Sequence, residues 1–222
     1  MFTRAEVRNK TKVAQKFYIL YGGIIMPVHM IHLFVAKKVN PNASLAFYVG
    51  NLAPDAYRDT LEGRSEQKIK SHFYDAPDRE DALRKFASNA NNDYLKGYLL
   101  HLFADIHFHV FWKKNMNFPP WKFGEESWTK FMEENNKINS YAYHNTEWAY
   151  SLYKQMENWD YDGFIETLSI SKDDVKWMIP YSHERIIANK LDSSTVFPPA
   201  LVEKLVDETA EEFNKWFSSL KS

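Results

Sequence analysis

The run YLKGYLLHLFADIHFHVFW at residues 94–112 constrains the fold more than any other segment of the chain. Apolar side chains fall on almost every side of a helix drawn through it, and such a helix belongs in a protein interior. Helical periodicity recurs along the rest of the chain, and no two-residue alternation reaches strand length. Only 7 of the 222 residues are glycine, which disfavours turn-dense β folds. The sequence therefore predicts an all-α, single-domain, multi-helix bundle around residues 94–112.

Prolines, glycines and capping residues predict where the helices begin and end. Pro180 lies inside one predicted helix and should bend or break it. The sequence FPPW at residues 118–121 should end the central helix. The predicted helices cover residues 4–20, 27–39, 43–52, 78–90, 92–112, 125–135, 140–158, 172–191 and 198–216.

Composition excludes several classes of function. Lys and Arg total 28 and Asp and Glu total 29, so no net positive field attracts a nucleic acid, and nucleic-acid partners are disfavoured. The absence of cysteine excludes disulfide scaffolds, thiolate metal sites and cysteine nucleophiles. Charges throughout residues 1–20 argue against a secretory signal, and the apolar stretches at 24–35 and 98–112 are too short or too rich in histidine for a transmembrane segment. These features predict a soluble, cytoplasmic protein.

The central helix carries a polar seam on its apolar surface. His101, Asp105 and His109 fall at about 0°, 40° and 80° around the helix, whereas His107 points elsewhere. Burying these groups is costly unless they are paired with each other or bind a metal. Zinc accepts imidazole and carboxylate ligands, and without cysteine its ligands here would be of the kind that catalytic sites use. A network of core histidines bonded to Asp105 is the alternative.

Other potential ligands are spread along the chain. Two histidines share a helix face at a spacing of three residues, an aspartate follows a proline, and a histidine and a glutamate again lie three apart on a predicted helix. Taken singly, each of them is more often a core or surface residue than a ligand. These candidates are His29 and His32, Asp55, His72, and His144 with Glu147.

Read in order, the segments HLFVAKKV, GNLAPD, KSHFYD and GYLLHLFAD resemble the zinc-dependent phospholipase C family, over roughly residues 27–111. The segment SHFYD and the H-x-x-x-D pattern of the central helix are its most specific parts. The family shares an all-α fold and a trinuclear zinc site with the single-strand-specific zinc nucleases. The resemblance therefore implies the same bundle and a zinc site within it.

The resemblance also implies roles for individual residues. Asp55 corresponds to a zinc ligand that is a proposed general base in the family, and Asp105 to the carboxylate that bridges two ions. The remaining implied ligands are histidines and one late glutamate. They are His32 from the first helix, His72 and His101 on the same zinc as Asp55, and the later set of His109, His144 and Glu147.

Three features depart from the family pattern. Secreted members bind a metal through an N-terminal tryptophan, whereas here 25 residues precede the first motif, and His29 is the candidate substitute. Phe111 stands where the family has a histidine, with His109 two residues earlier. The late pair is H-x-x-E instead of H-x-x-x-E. We therefore expect two and at most three zinc ions, a domain at residues 26–222, and an N-terminal helical extension at residues 1–25.

The predicted function is zinc-dependent hydrolysis of a phosphoric ester, with Asp55 orienting or deprotonating the attacking water. The expected substrate is a small-molecule or lipid-like phosphoester, a phosphodiester or a phospholipid-like compound. A non-catalytic metal-binding helical module and a nuclease of the same fold are the alternatives. The oligomeric state is left open.

Overall fold

The computed structural model describes residues 28–57, 59–60, 63–115 and 125–220. Within those ranges the chain forms nine α-helices, a 3₁₀ turn at Ala53–Ala56 and a ribbon of two short antiparallel strands, β1 (Asp59–Thr60) and β2 (Gly63–Arg64). The predicted all-α class is confirmed. The helices are α1 His29–Val39, α2 Leu45–Leu52, α3 Glu66–Ser71, α4 Arg79–Asn89, α5 Asp93–Asn115, α6 Glu126–His144, α7 Glu147–Glu157, α8 Lys172–Ala188 and α9 Pro199–Ser219.

Helix α5 is the central element, as its apolar surface predicted. Helices α1, α2, α4 and α9 all pack against it. The side chain of Asn92 begins the helix by accepting a hydrogen bond from the Leu95 amide at 2.8 Å, which satisfies one of the free amides of the first turn. Large side chains such as Tyr94, Tyr98 and Phe108 are fully buried along its length. The polar seam of α5 therefore lies within the core.

Helices α2 and α5 cross with their backbones in direct contact, at two glycines. A Cβ atom on Gly50 would lie 2.0 Å from the Tyr94 carbonyl oxygen, and one on Gly97 would lie 2.0 Å from the Phe47 carbonyl oxygen. The side-chain amide of Asn51 donates to the Gly97 carbonyl at 3.3 Å. This crossing therefore fixes the position along α5 at which α2 ends. The 3₁₀ turn begins directly after that end.

Two predicted boundaries are wrong. Helix α6 continues past Asn135 to His144, where separate helices at 125–135 and 140–158 were predicted. Its asparagines are not breakers, because the Asn139 side chain accepts a hydrogen bond from the Met30 amide at 3.0 Å and Asn135 is buried. The chain turns at residues 145–146 instead.

Helix α8 also differs from its prediction, since it passes through Pro180 without a break and ends at Ala188 instead of residue 191. Val175, Met178 and Ile179 on its inner face are buried, so packing holds the helix across the proline. The predicted helix at 4–20 and the FPPW break lie outside the described residues. No helix in the described ranges has the length and apolar composition needed to cross a bilayer.

We predict that Gly97→Ala destabilises the protein by about 1–3 kcal/mol, because the added methyl group meets backbone, which cannot rotate away. Helix propensity alone favours alanine over glycine, so a loss of stability reports the clash. Urea unfolding measures the difference. Lys96→Ala, one residue earlier on an outer part of the helix, is the control and should stay within about 0.5 kcal/mol of the unaltered protein. Equal stability of the two variants would contradict the described crossing.

His107 predicts a pH dependence of stability. Its Nδ1 lies 2.8 Å from Oγ1 of buried Thr209 on α9, and burial lowers the pKa of His107 below its ordinary value. The folded state therefore resists a proton that the unfolded chain accepts, so the free energy of unfolding falls as the pH drops below about 6.5. We expect His107→Gln to lose less stability than the unaltered protein between pH 7 and pH 5 in urea titrations. A loss of equal size in both proteins would show that His107 does not contribute.

Candidate metal centre

Five of the predicted ligands converge inside the bundle. They come from separate elements, and in four of them the whole residue is inaccessible to solvent. The fifth, Asp55, keeps 12% of its side chain exposed. The five are His32 on α1, Asp55 in the 3₁₀ turn, His72 directly after α3, and His101 with Asp105 on α5.

The spacing of their polar atoms fits a zinc ion. His72 Nε2 lies 3.2 Å from His101 Nε2 and 3.5 Å from Asp105 Oδ2. Asp55 Oδ1 lies 3.5 Å from His72 Nε2 and 3.8 Å from His101 Nε2. In a tetrahedral site with bonds of about 2.0–2.1 Å, ligand atoms stand about 3.3 Å apart. The four side chains therefore approach the spacing of one coordination sphere.

Hydrogen bonds to Nδ1, on the side of the ring away from the cluster, fix the orientation of the His72 and His101 imidazoles. His101 Nδ1 donates to the Asn51 carbonyl at 2.8 Å, and His72 Nδ1 donates to the Lys68 carbonyl at 3.2 Å with Ser71 Oγ 2.8 Å away. With a hydrogen on Nδ1, the neutral ring presents the Nε2 lone pair to the cluster. Histidines that bind metals commonly have such supporting hydrogen bonds.

His32 carries the clearest sign that an ion is needed. Its ring stacks on His101 with centroids 3.8 Å apart, and its Nε2 faces Asp105 Oδ1 at 3.6 Å. Neither nitrogen of His32 has a hydrogen-bond partner among the described residues, and neither does Asp105 Oδ1. Buried polar atoms without partners are costly, and a cation among them provides the missing interaction.

Burial sets the protonation of the imidazoles. It lowers the pKa of His32, His72 and His101 well below the ordinary value, so each ring is neutral near pH 7. Neutral imidazole is the form that binds zinc.

The two carboxylates differ from each other. Burial raises the pKa of Asp105 to about 7, although the nearby Arg79 acts against the shift. Burial also acts upward on the pKa of Asp55, but the ammonium group of Lys68 and the neighbouring histidines bring it well below its ordinary value. Asp55 is therefore a carboxylate at neutral pH.

Two cations that the sequence analysis missed complete the site. Lys68 Nζ pairs with Asp55 Oδ1, and Lys68 is only 2% exposed. Arg79 Nη2 lies 3.8 Å from Asp105 Oδ2, while its Nε donates to the His72 carbonyl at 2.9 Å. The position of Lys68, four residues before His72, is the only sequence signal for either residue, and in a short polar helix it is typical of a solvated face.

The remaining predicted residues lie outside this cluster or at its edge. His29 Nε2 is 3.7 Å from Asp55 Oδ2 at the rim. His109 is partly buried, and its Nδ1 has no hydrogen-bond partner within the described part of the chain. His144 and Glu147 are exposed, at the end of α6 and the start of α7, so they do not share the face of one helix as predicted. The structure does not bring His109, His144 or Glu147 into the cluster, and their roles stay predictions.

His183, a buried histidine outside the cluster, differs from His32 in its hydrogen-bond partners. His183 Nδ1 pairs with Glu157, its Nε2 lies 2.7 Å from the Tyr143 hydroxyl, and its ring stacks on Tyr153. Both nitrogens of His183 are satisfied by protein groups, so this network needs no ion. His32 has no such partners.

We predict that zinc stabilises the protein through this cluster. Free zinc at about 1,000 times its dissociation constant should add about 4 kcal/mol to the free energy of unfolding, because the unfolded chain does not assemble the ligands. Thermal unfolding with and without a chelator measures the effect. Asp105→Asn should abolish it and His107→Gln should retain it. A chelator-insensitive melting temperature in the unaltered protein would contradict the prediction.

One comparison with known proteins found a match, to a family model, and that match agrees with this geometry. No curated protein and no solved structure matches the chain. The sequence model of one family, zinc dependent phospholipase C, matches residues 27–215, which include every residue of the cluster. The chain therefore belongs to the zinc-dependent phospholipase C family.

Proposed function

We propose that this protein is a zinc-dependent hydrolase of phosphoric esters, acting on a phosphodiester or a phospholipid-like compound. The observation that carries the proposal is the buried group of His and Asp side chains whose spacing fits zinc and in which both nitrogens of His32 and Oδ1 of Asp105 have no hydrogen-bond partner among the described residues. Family membership supports zinc and hydrolysis, and the choice of substrate is our inference from it. We assign the activity to residues 26–222 and treat residues 1–25 as an extension.

Access to the site supports a catalytic role over a purely structural one. His32, His72, His101 and Asp105 are sealed from solvent. Asp55, however, keeps its 12% exposure, and His29 and Arg79 beside the cluster have side chains 13% and 19% exposed. A substrate phosphate therefore reaches the cluster on the Asp55 side. Structural zinc sites are closed, whereas catalytic sites keep one position open.

His72, His101 and Asp105 would hold the ion, since His72 Nε2 lies 3.2 Å from His101 Nε2 and 3.5 Å from Asp105 Oδ2, whereas Asp55, at the same 3.5 Å from His72 Nε2, is paired with Lys68. Bound zinc supplies positive charge to a phosphoryl oxygen and makes water easier to deprotonate. Asp55 is positioned to accept the proton of an attacking water, because it is ionised and lies at the open side. A carboxylate in that position acts as a general base.

Arg79, one of the two cations beside the cluster, serves the same reaction. Arg79 Nη2 has no hydrogen-bond partner among the described residues and lies at the edge of the site. In this proposal the guanidinium group, which faces Asp105 Oδ2 at 3.8 Å, also contacts a non-bridging phosphate oxygen, where it offsets the negative charge that develops as the ester bond breaks. Its Nε is already held by the His72 carbonyl, so the group is oriented before substrate arrives.

Hydrolysis of bis-4-nitrophenyl phosphate and of a short-chain phosphatidylcholine by the zinc-loaded protein tests the proposal. We expect Asp55→Asn to lower kcat by about 10²–10⁴-fold, because it removes the proton acceptor. Asp105→Asn should abolish turnover through loss of zinc, and His107→Gln is the matched control with unchanged rates.

Turnover that is indifferent to Asp105→Asn would refute the assigned site. A zinc-bound protein without activity on any phosphoester would identify the non-catalytic alternative. Cleavage of single-stranded DNA in preference to both esters would identify the nuclease alternative.

A further inference from the structure

The potential ligands form two groups that overlap. One contains His72, His101 and Asp105, and the other contains His32, Asp55 and His101. His101 Nδ1 is occupied by the Asn51 carbonyl, so His101 offers only Nε2 to both groups. A single ring nitrogen binds one ion at a time. The two groups therefore cannot both be filled as they stand.

Lys68 decides between the two groups. Its Nζ pairs with Asp55 Oδ1, and only 3% of its side chain is exposed. The Ser65 side chain caps α3 by accepting a hydrogen bond from the Lys68 amide at 3.1 Å, which fixes the turn that carries the lysine. The carboxylate of Asp55 is thus already neutralised by a buried ammonium group. A divalent ion on the same oxygen would meet that positive charge at short range.

The charges of the whole cluster also disfavour a second ion. Asp55 is paired with Lys68, and Asp105 has Arg79 at 3.8 Å. Every further zinc ion adds two positive charges to a buried region in which both acids already have a cation. Uncompensated charge in such a region is strongly unfavourable.

We infer that the described cluster is a one-zinc site, filled at His72, His101 and Asp105, in which Lys68 takes the place of a second ion at Asp55. The inference rests on the zinc dependence of the proposed function and goes beyond it. His32 then lies beside the occupied site without binding the ion, with its Nε2 3.6 Å from Asp105 Oδ1. The two or three ions that the resemblance implies would thus be reduced to one here.

Zinc content, measured by mass spectrometry after dialysis against metal-free buffer, tests the inference. The difference between the unaltered protein and a His101→Ala/Asp105→Asn double variant counts the ions in the cluster, because zinc bound elsewhere cancels. We expect a difference of about one. A difference of two would overturn the inference while leaving the proposed function intact. No zinc in any sample would overturn both.

Lys68→Met tests the role of the lysine. Methionine keeps the length and the apolar stem but releases Asp55, which then offers its charge to a second ion together with His32 and His29. We expect the content of the cluster to rise from one zinc to two. Lys70→Met is the matched control, since Lys70 is an exposed residue of the same helix paired with Glu66 at 3.0 Å, and its content should stay at one.

An unchanged zinc content in folded Lys68→Met would overturn the role given to Lys68. If circular dichroism shows that this variant does not fold, anomalous scattering at the zinc edge from crystals of the unaltered protein decides the matter. One peak at the cluster supports the inference, and two peaks overturn it.

Discussion

The contact between the backbones of α2 and α5 is the constraint on which the site depends. Gly50 and Gly97 allow carbonyl groups of one helix to touch the other, so α2 cannot slide along α5. Asn51 follows Gly50, and its side-chain amide donates to the Gly97 carbonyl while its backbone carbonyl accepts from His101 Nδ1. The same contact that joins the helices thus also orients the imidazole of His101, a predicted zinc ligand. One crossing therefore fixes both the packing of the two helices and the orientation of the His101 ring.

Electrostatics in the cluster follow from burial and from the ion pair between Asp55 and Lys68. Neutral imidazoles surround two aspartates whose pKa values are shifted in opposite directions. Lys68 lowers the pKa of Asp55, whereas burial raises the pKa of Asp105. The ligand atoms lie close together, and several of them have no hydrogen bond to any described residue. Such a preorganised group binds an ion without moving its helices far.

The sequence allowed much of the fold and part of the site to be predicted. Helix α5 was predictable because its apolar surface and its capping residue agree, and His101 with Asp105 followed from their spacing of four residues. The convergence of His32, Asp55 and His72 on that pair came only from the family resemblance. These three lie on separate elements, and periodicity does not determine how such elements assemble.

The errors share a physical origin in long-range contacts. The predicted helices left a gap at residues 136–139, but the Asn139 side chain accepts a hydrogen bond from the Met30 amide in α1, a tertiary contact that local propensity does not include. Lys68 matched a solvated helix face for the same reason, since its partner Asp55 lies 13 positions earlier, in the 3₁₀ turn. His144 and Glu147 were joined on one predicted helix that the structure divides.

Helix α3 has only six residues, fewer than an isolated helix needs to be stable in water. Its order depends on neighbours, among them the Tyr98 hydroxyl, which donates to the Ser71 carbonyl at 2.9 Å, and it leads into Phe73, whose φ of 55° is unusual for a non-glycine residue. Short, externally supported segments open more readily than long buried helices. Because His72 follows this helix directly, we expect an ion held there to exchange with solvent through local opening of α3 and not through unfolding of the bundle.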